Sequence, residues 1–155
     1  LERGELTSDG GRVRLPSHRV VFDERQAEAA EKLVALLDAG RFAPPEIGSA
    51  TAEAGAHDVL PELEASGRIL RITAELAMTP HTLDRAHVLL WEAFQVEGPL
   101  TASRARDVLD TTRKYVLPLL AALDQRGCTR RQGDLRVVLD VARHGHPTSD
   151  LRGPV

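Results

Sequence analysis

The sequence predicts an α+β fold, mainly helical and built twice from the same parts. Three observations carry that prediction. Segments with the 3.6-residue apolar period of a helix are followed by short stretches of two-residue alternation. The strings "VLPELEASG" and "VLPLLAALDQRG" fall at corresponding places in the two halves, which marks an internal repeat of about 60 residues. Within each copy the order is the same: three helical segments, then a β-ribbon.

Taken in order, "LERGELTSDGGRVRLPSHRVVF" alternates around "SDGG", a hairpin turn signal. Residues 1–21 are expected to be the last hairpin of a preceding unit. Because the chain opens on Leu1, it is expected to be a fragment or a cleavage product. Asp23 is predicted to cap "ERQAEAAEKLVALLDAG", where Ala27, Ala30, Leu33, Val34 and Leu37 form one apolar face and Gly40 ends the helix. "FAPPEIGSATAEAG" restarts with prolines at a helix N-terminus. "AHDVLPELEASG" is a short third helix closed by Gly67, and "RILRITAELAMT" alternates as a two-stranded ribbon. These segments make a first unit over residues 22–79.

The second unit, residues 80–140, repeats the pattern. "PHTLDRAHVLLWEAFQVEG" turns Leu83, Ala86, Leu90 and Phe94 inward, with Trp91 and Phe94 read as core. "LTASRARDVLD" and "TTRKYVLPLLAALDQRG" are the second and third helices, and "CTRRQGDLRVVL" is the ribbon. From residue 141 to 155 the pattern is lost and a disordered tail is expected. Three helices followed by a β-ribbon is the winged helix, a relative of the helix-turn-helix. The fold expected is therefore a tandem of winged helices.

Composition narrows the function. With 155 residues, 42% hydrophobic and 28% charged, the chain can build real cores. A single cysteine, Cys128, rules out an internal disulfide and points to a reducing compartment. No run is long enough for a membrane span and nothing resembles a signal peptide, so a cytoplasmic, membrane-free location is expected. The net charge of −3 hides an asymmetry. Residues 1–100 carry 10 Lys and Arg against 17 acids, or −7, while residues 101–155 carry 10 against 6, or +4.

Catalysis finds no support. The phosphate loop GxxxxGK[ST], GxGxxG, CxxC and HExxH are all missing. Cys128 reads as a small buried hydrophobe, and His144 and His146 in "HGH" lack further ligands for a metal. No catalytic residue, metal or cofactor is expected in this chain.

The informative feature is where the positive charge stands. "TTRKYV" opens a helix with two threonines able to cap it, followed by Arg113 and Lys114. A helix N-terminus is the positive end of its dipole, so cations there cost a few tenths of a kcal/mol. An anion at that end reverses the account, because free N–H groups, dipole and cations all favour it. Arg130, Arg131 and Arg136 in the ribbon are expected to converge on the same surface, and Arg104 and Arg106 on the second helix could extend it. The competing reading is a solvated face with ion pairs to Asp107, Asp110 and Asp134. Tyr115 is either core or a ring for a base, and Asp134 either a turn residue or an acceptor for a base edge. The first copy lacks these cations: its third helix opens "GAHDV", and its ribbon sets Arg68 and Arg71 against Glu75. It reads as a spacer or a module that faces protein.

The pieces "RD", "TRKYVLPLL" and "LD..G.TRR.GD.RV", in order between residues 106 and 137, resemble the last winged helix of the bacterial selenocysteine-specific elongation factor. "GGRVRLPSHRV" and "FAPP" extend the resemblance over residues 1–139. It implies the end of that family's second winged helix, then its third and fourth. The fourth grips the selenocysteine insertion hairpin of mRNA through its backbone and a bulged base. By position this points to Arg113, Lys114, Tyr115, Arg130, Arg131, Gly133, Asp134 and Arg136. Cys128, Thr129 and Gln132 fall at positions expected to vary. The resemblance further implies a monomer acting with the ribosome and selenocysteinyl-tRNA at UGA codons, with GTP and magnesium handled by upstream domains outside this chain. The rivals are a winged-helix transcription regulator reading duplex DNA and a platform for protein contacts.

Overall fold

The computed structural model describes residues 21–141. The hairpin expected at the start and the tail expected at the end lie outside them, apart from Val21 and Val141 at the boundaries. α1 (Glu24–Ala39) starts with a reciprocal cap. The Asp23 carboxylate accepts from the Gln26 N–H at 2.8 Å, and the Gln26 side chain accepts from the Asp23 N–H at 3.0 Å. Ala30, Leu33 and Leu37 are buried as predicted, but Ala27 is exposed and Ala29 meets the core in its place. Gly40 ends the helix for a steric reason. Its φ is −75°, yet a Cβ there would stand 2.5 Å from the Pro44 Cα.

Pro44 and Pro45 precede α2 (Ile47–Ala54), and α3 (Leu60–Ala65) leads into β1 (Leu70–Arg71) and β2 (Ala77–Met78). The two strands pair antiparallel, Leu70 opposite Met78. Leu33, Leu37, Ile47, Val59, Leu63 and Ile69 fill the core of this first unit.

The second unit comprises α4 (Pro80–Glu97), β3 (Leu100–Thr101), α5 (Ala102–Leu109), α6 (Arg113–Gln125), β4 (Thr129–Gln132) and β5 (Leu135–Val138). Its sheet runs β3-β5-β4, antiparallel throughout. β3 is additional to the ribbon expected: two residues show no alternation, and its partner lies 36 residues on, Leu100 against Arg136. Leu83, Ala86 and Leu90 are buried, and Phe94 is half-buried with its ring 5.9 Å from that of Trp91. Cys128 is buried, and that burial pushes its thiol pKa up. Alkylation of native Cys128 by iodoacetamide at neutral pH is therefore expected to proceed only as fast as the fold opens; labelling as rapid as in denaturant would contradict this.

The two units share a core. Phe42, Leu76 and Met78, all before residue 80, are buried in one cluster with Leu83, Leu90, Leu119, Leu120 and Leu123. Thr79 is the N-cap of α4, accepting from the Thr82 N–H at 3.2 Å and donating its hydroxyl to Asp38 at 2.5 Å. Val141, where the tail was expected to begin, is itself buried against Val88 and Trp91. Among the described residues no helix is long and apolar enough to cross a membrane.

Candidate nucleic-acid interface

α6 forms where expected and starts at Arg113, but its cap is not made as expected. Thr112 holds the N-cap position with extended backbone, φ −120° and ψ 168°, and no side chain bonds the first amides. Thr111 instead donates its hydroxyl to the Phe42 carbonyl at 2.7 Å, tying the helix start to the first unit. The Tyr115 N–H donates to the Thr112 carbonyl at 3.0 Å, and the Arg113 and Lys114 N–H groups have no partner among the described residues, at the positive end of the dipole. Arg113 and Lys114 are exposed there, and neither has an ion pair among the described residues. The Lys114 ammonium lies 5.4 Å from the centre of the Tyr115 ring. Tyr115 is half-buried against the second unit's core. With Lys114 it also lines a cavity of ≈ 190 Å³ whose other wall is Pro44, Glu46, Thr73, Glu75 and Leu76 of the first unit.

In the wing, Gly133 and Asp134 make the two-residue turn. Gly133 takes φ 62° and Asp134 does not follow it into positive φ, the pattern of a hairpin turn with glycine first. Arg131 folds over that turn, Nε donating to the Gly133 carbonyl at 2.9 Å. Asp134 is exposed and forms no ion pair among the described residues. Side chains alternate across a strand, so Arg130 (opposite Val137) and Arg131 (opposite Arg136) leave on opposite faces of the wing.

The remaining predicted cations are already engaged. Arg104 grips Glu97 with Nε and Nη2, at 2.9 and 2.7 Å, and this pairing holds the Glu97 carboxyl below its ordinary pKa. Arg106 pairs with Asp107 at 3.1 Å. Arg136 is the largest revision. Its side chain is only 12% exposed and bonds Asp124 through Nε, at 3.2 Å to each oxygen, and Nη2 at 3.0 Å. Of the carboxylates considered as neutralising partners, only Asp107 acts as one among the described residues. Glu97 and Asp124, which sequence reasoning passed over, do more. One signal could have found Asp124: a carboxylate in the last turn of a helix faces the negative end of the dipole and needs a nearby cation.

The exposed members of the predicted site therefore stand on two elements, the first turn of α6 and the wing. Arg113 and Lys114 stand at the first turn of α6, with Tyr115 behind them. Arg130, Arg131, Gly133 and Asp134 form the wing, which is anchored at Asp124 in the last turn. Eleven residues of helix separate the two anchor points, about 16 Å of rise.

Three helices with a three-stranded antiparallel sheet, preceded by a matching unit, make this a tandem winged-helix protein. Residues 92–138 match the family described as "Elongation factor SelB, winged helix". Among solved structures, a bacterial selenocysteine-specific elongation factor, EF-Sec, is 25% identical with a TM-score of 0.59, over 77% of this chain and 20% of that one. The mRNA-binding domain of SelB from E. coli, solved with SECIS RNA, is 22% identical with a TM-score of 0.54, over 77% of this chain and all of that one. The chain thus spans about a fifth of the whole factor it matches. A search of the curated proteins returned no match. Residues 92–138 thus resemble a SelB winged helix, and the described residues share the fold of the EF-Sec structure.

Proposed function

We propose that this chain is the RNA-gripping part of a selenocysteine-specific elongation factor. It holds the selenocysteine insertion hairpin of mRNA so that the factor delivers selenocysteinyl-tRNA to the ribosome at UGA codons. The observation that carries this reading is the first turn of α6: an uncapped helix start bearing two exposed cations without carboxylate partners among the described residues. A phosphate there meets amides, dipole and both side chains together. The wing cations Arg130 and Arg131 supply further phosphate contacts. On this reading the chain acts as a cytoplasmic monomer that binds and does not catalyse. GTP and magnesium belong to parts of the factor it does not span.

Four available cations set the size of the salt effect. Hairpin binding is expected to give log K against log[salt] a slope of roughly −3, at about 0.7–0.9 per phosphate. The titration is run in parallel with an RNA hairpin and a duplex DNA of equal length. Tighter binding to the DNA would favour a transcription regulator, and a flat salt dependence with both would leave only a solvated face.

Asp134 separates reading from positioning. A carboxylate at the wing turn can accept a hydrogen bond from the edge of an extruded base. Asp134→Asn is expected to reduce discrimination between a bulged and a bulge-less hairpin by about 1–3 kcal/mol, with little change on the bulge-less one. Equal losses on the two hairpins, or none, would remove the base-reading role and leave the phosphate contacts standing.

A further inference from the structure

We infer that Asp124 is the positioning residue of the RNA site proposed above, fixing the wing on α6 without touching RNA itself. The inference rests on that functional reading and adds a residue to it.

One carboxylate ties down both strands of the wing. Asp124 accepts from the Thr129 hydroxyl at the start of β4 and from the Arg136 guanidinium on β5. Arg136 sits on the central strand, opposite Leu100 of β3 on one side and Arg131 of β4 on the other. Its grip on Asp124 therefore reaches the whole sheet. Arg131 and Arg136, directly opposite, share a face of the ribbon, where like charges repel. With Asp124 in place, the Arg136 charge is balanced and Arg131 is free to close over the Gly133 carbonyl. The carboxylate thus orders a sequence of contacts that ends at the turn holding Asp134. Arg136, at 12% side-chain exposure, is spent on this anchor and not on a phosphate.

Asp124→Asn tests this because two accounts predict opposite signs. Removing a negative charge near bound RNA should tighten binding if Asp124 acts only through its field. If Asp124 positions the wing, binding to the RNA hairpin should weaken about tenfold despite the gained positive charge, as a site whose support is loosened does. Circular dichroism confirms that each variant is folded. The exchange Asp124→Arg with Arg136→Asp keeps the net charge of the wild type and should restore affinity to within about threefold. Arg136→Lys keeps the charge but loses the two-nitrogen grip and should resemble Asp124→Asn. Hairpin binding by Asp124→Asn or Arg136→Lys as tight as wild type would overturn the inference, whichever way the exchange variant behaves. If the wild-type chain itself fails to bind the hairpin, the functional reading fails and this inference falls with it.

Discussion

Phe42→Ala is expected to cost about 3–5 kcal/mol of stability and to lower the unfolding midpoint of the second unit, although Phe42 belongs to the first. The ring is buried at 4% exposure in a cluster with Leu83, Leu90, Leu119, Leu120 and Leu123. Truncation removes the transfer free energy of the ring and leaves a void that α4 and α6 cannot fill. A single domain holds about 5–15 kcal/mol in total, so the loss is a large share of the whole. Trp91, the only tryptophan, lies on α4 and reports the second unit. Urea unfolding followed by Trp91 fluorescence and by far-ultraviolet circular dichroism should give coincident curves, both shifted by Phe42→Ala. A Trp91 transition unmoved by the substitution would show that the units unfold independently. The same contact bears on dissection of the chain. Residues 80–140 alone would lack Phe42, Leu76 and Met78 from their core, so RNA binding is best measured on the intact chain.

The double substitution Arg113→Ala, Lys114→Ala is expected to weaken hairpin binding about a hundredfold, near 1.4 kcal/mol for each cation. The salt slope should become shallower by about 1.4–1.8, at 0.7–0.9 for each of two phosphates. Folding stability should move the other way. Two cations leave the positive end of the α6 dipole, so the melting temperature should hold or rise slightly. Weaker binding in an equally stable protein is a combination that general damage to the fold does not produce. A variant with full affinity would show that the first turn of α6 is not where RNA binds.

What could be read from the sequence follows the range over which each signal acts. The Asp23 cap, the start of α6 and the Gly133 turn were legible because each is settled within a few residues. Cys128 reads as core from its strand position, whereas the helical period alone leaves Tyr115 between core and a base-facing ring. β3 was not legible, because two residues carry no period and their partner is distant in the chain. Nor was the shared core, since the pattern around Phe42 and Met78 says that they are buried but not by which unit. The ion pairs within the basic cluster were not legible for a related reason. Counting cations along a chain assumes that they are free, and the grip of Asp124 on Arg136 exists only once the last turn of α6 and β5 are packed together. Thr111 shows the same limit at the other end of that helix, its hydroxyl committed to a carbonyl 69 residues earlier.

The bond from Thr79 to Asp38 has a consequence for any attempt to treat the repeats as interchangeable cassettes. The hydroxyl that opens α4 answers both to its own helix and to a carboxylate near the end of α1. A graft placing residues 80–141 behind an unrelated unit would inherit half a joint. It would carry the second unit's helices but not the Asp38 acceptor, the Phe42 ring or the carbonyl that holds Thr111. The smallest transferable piece is therefore set by the seam, not by the repeat, and it begins upstream of Asp38.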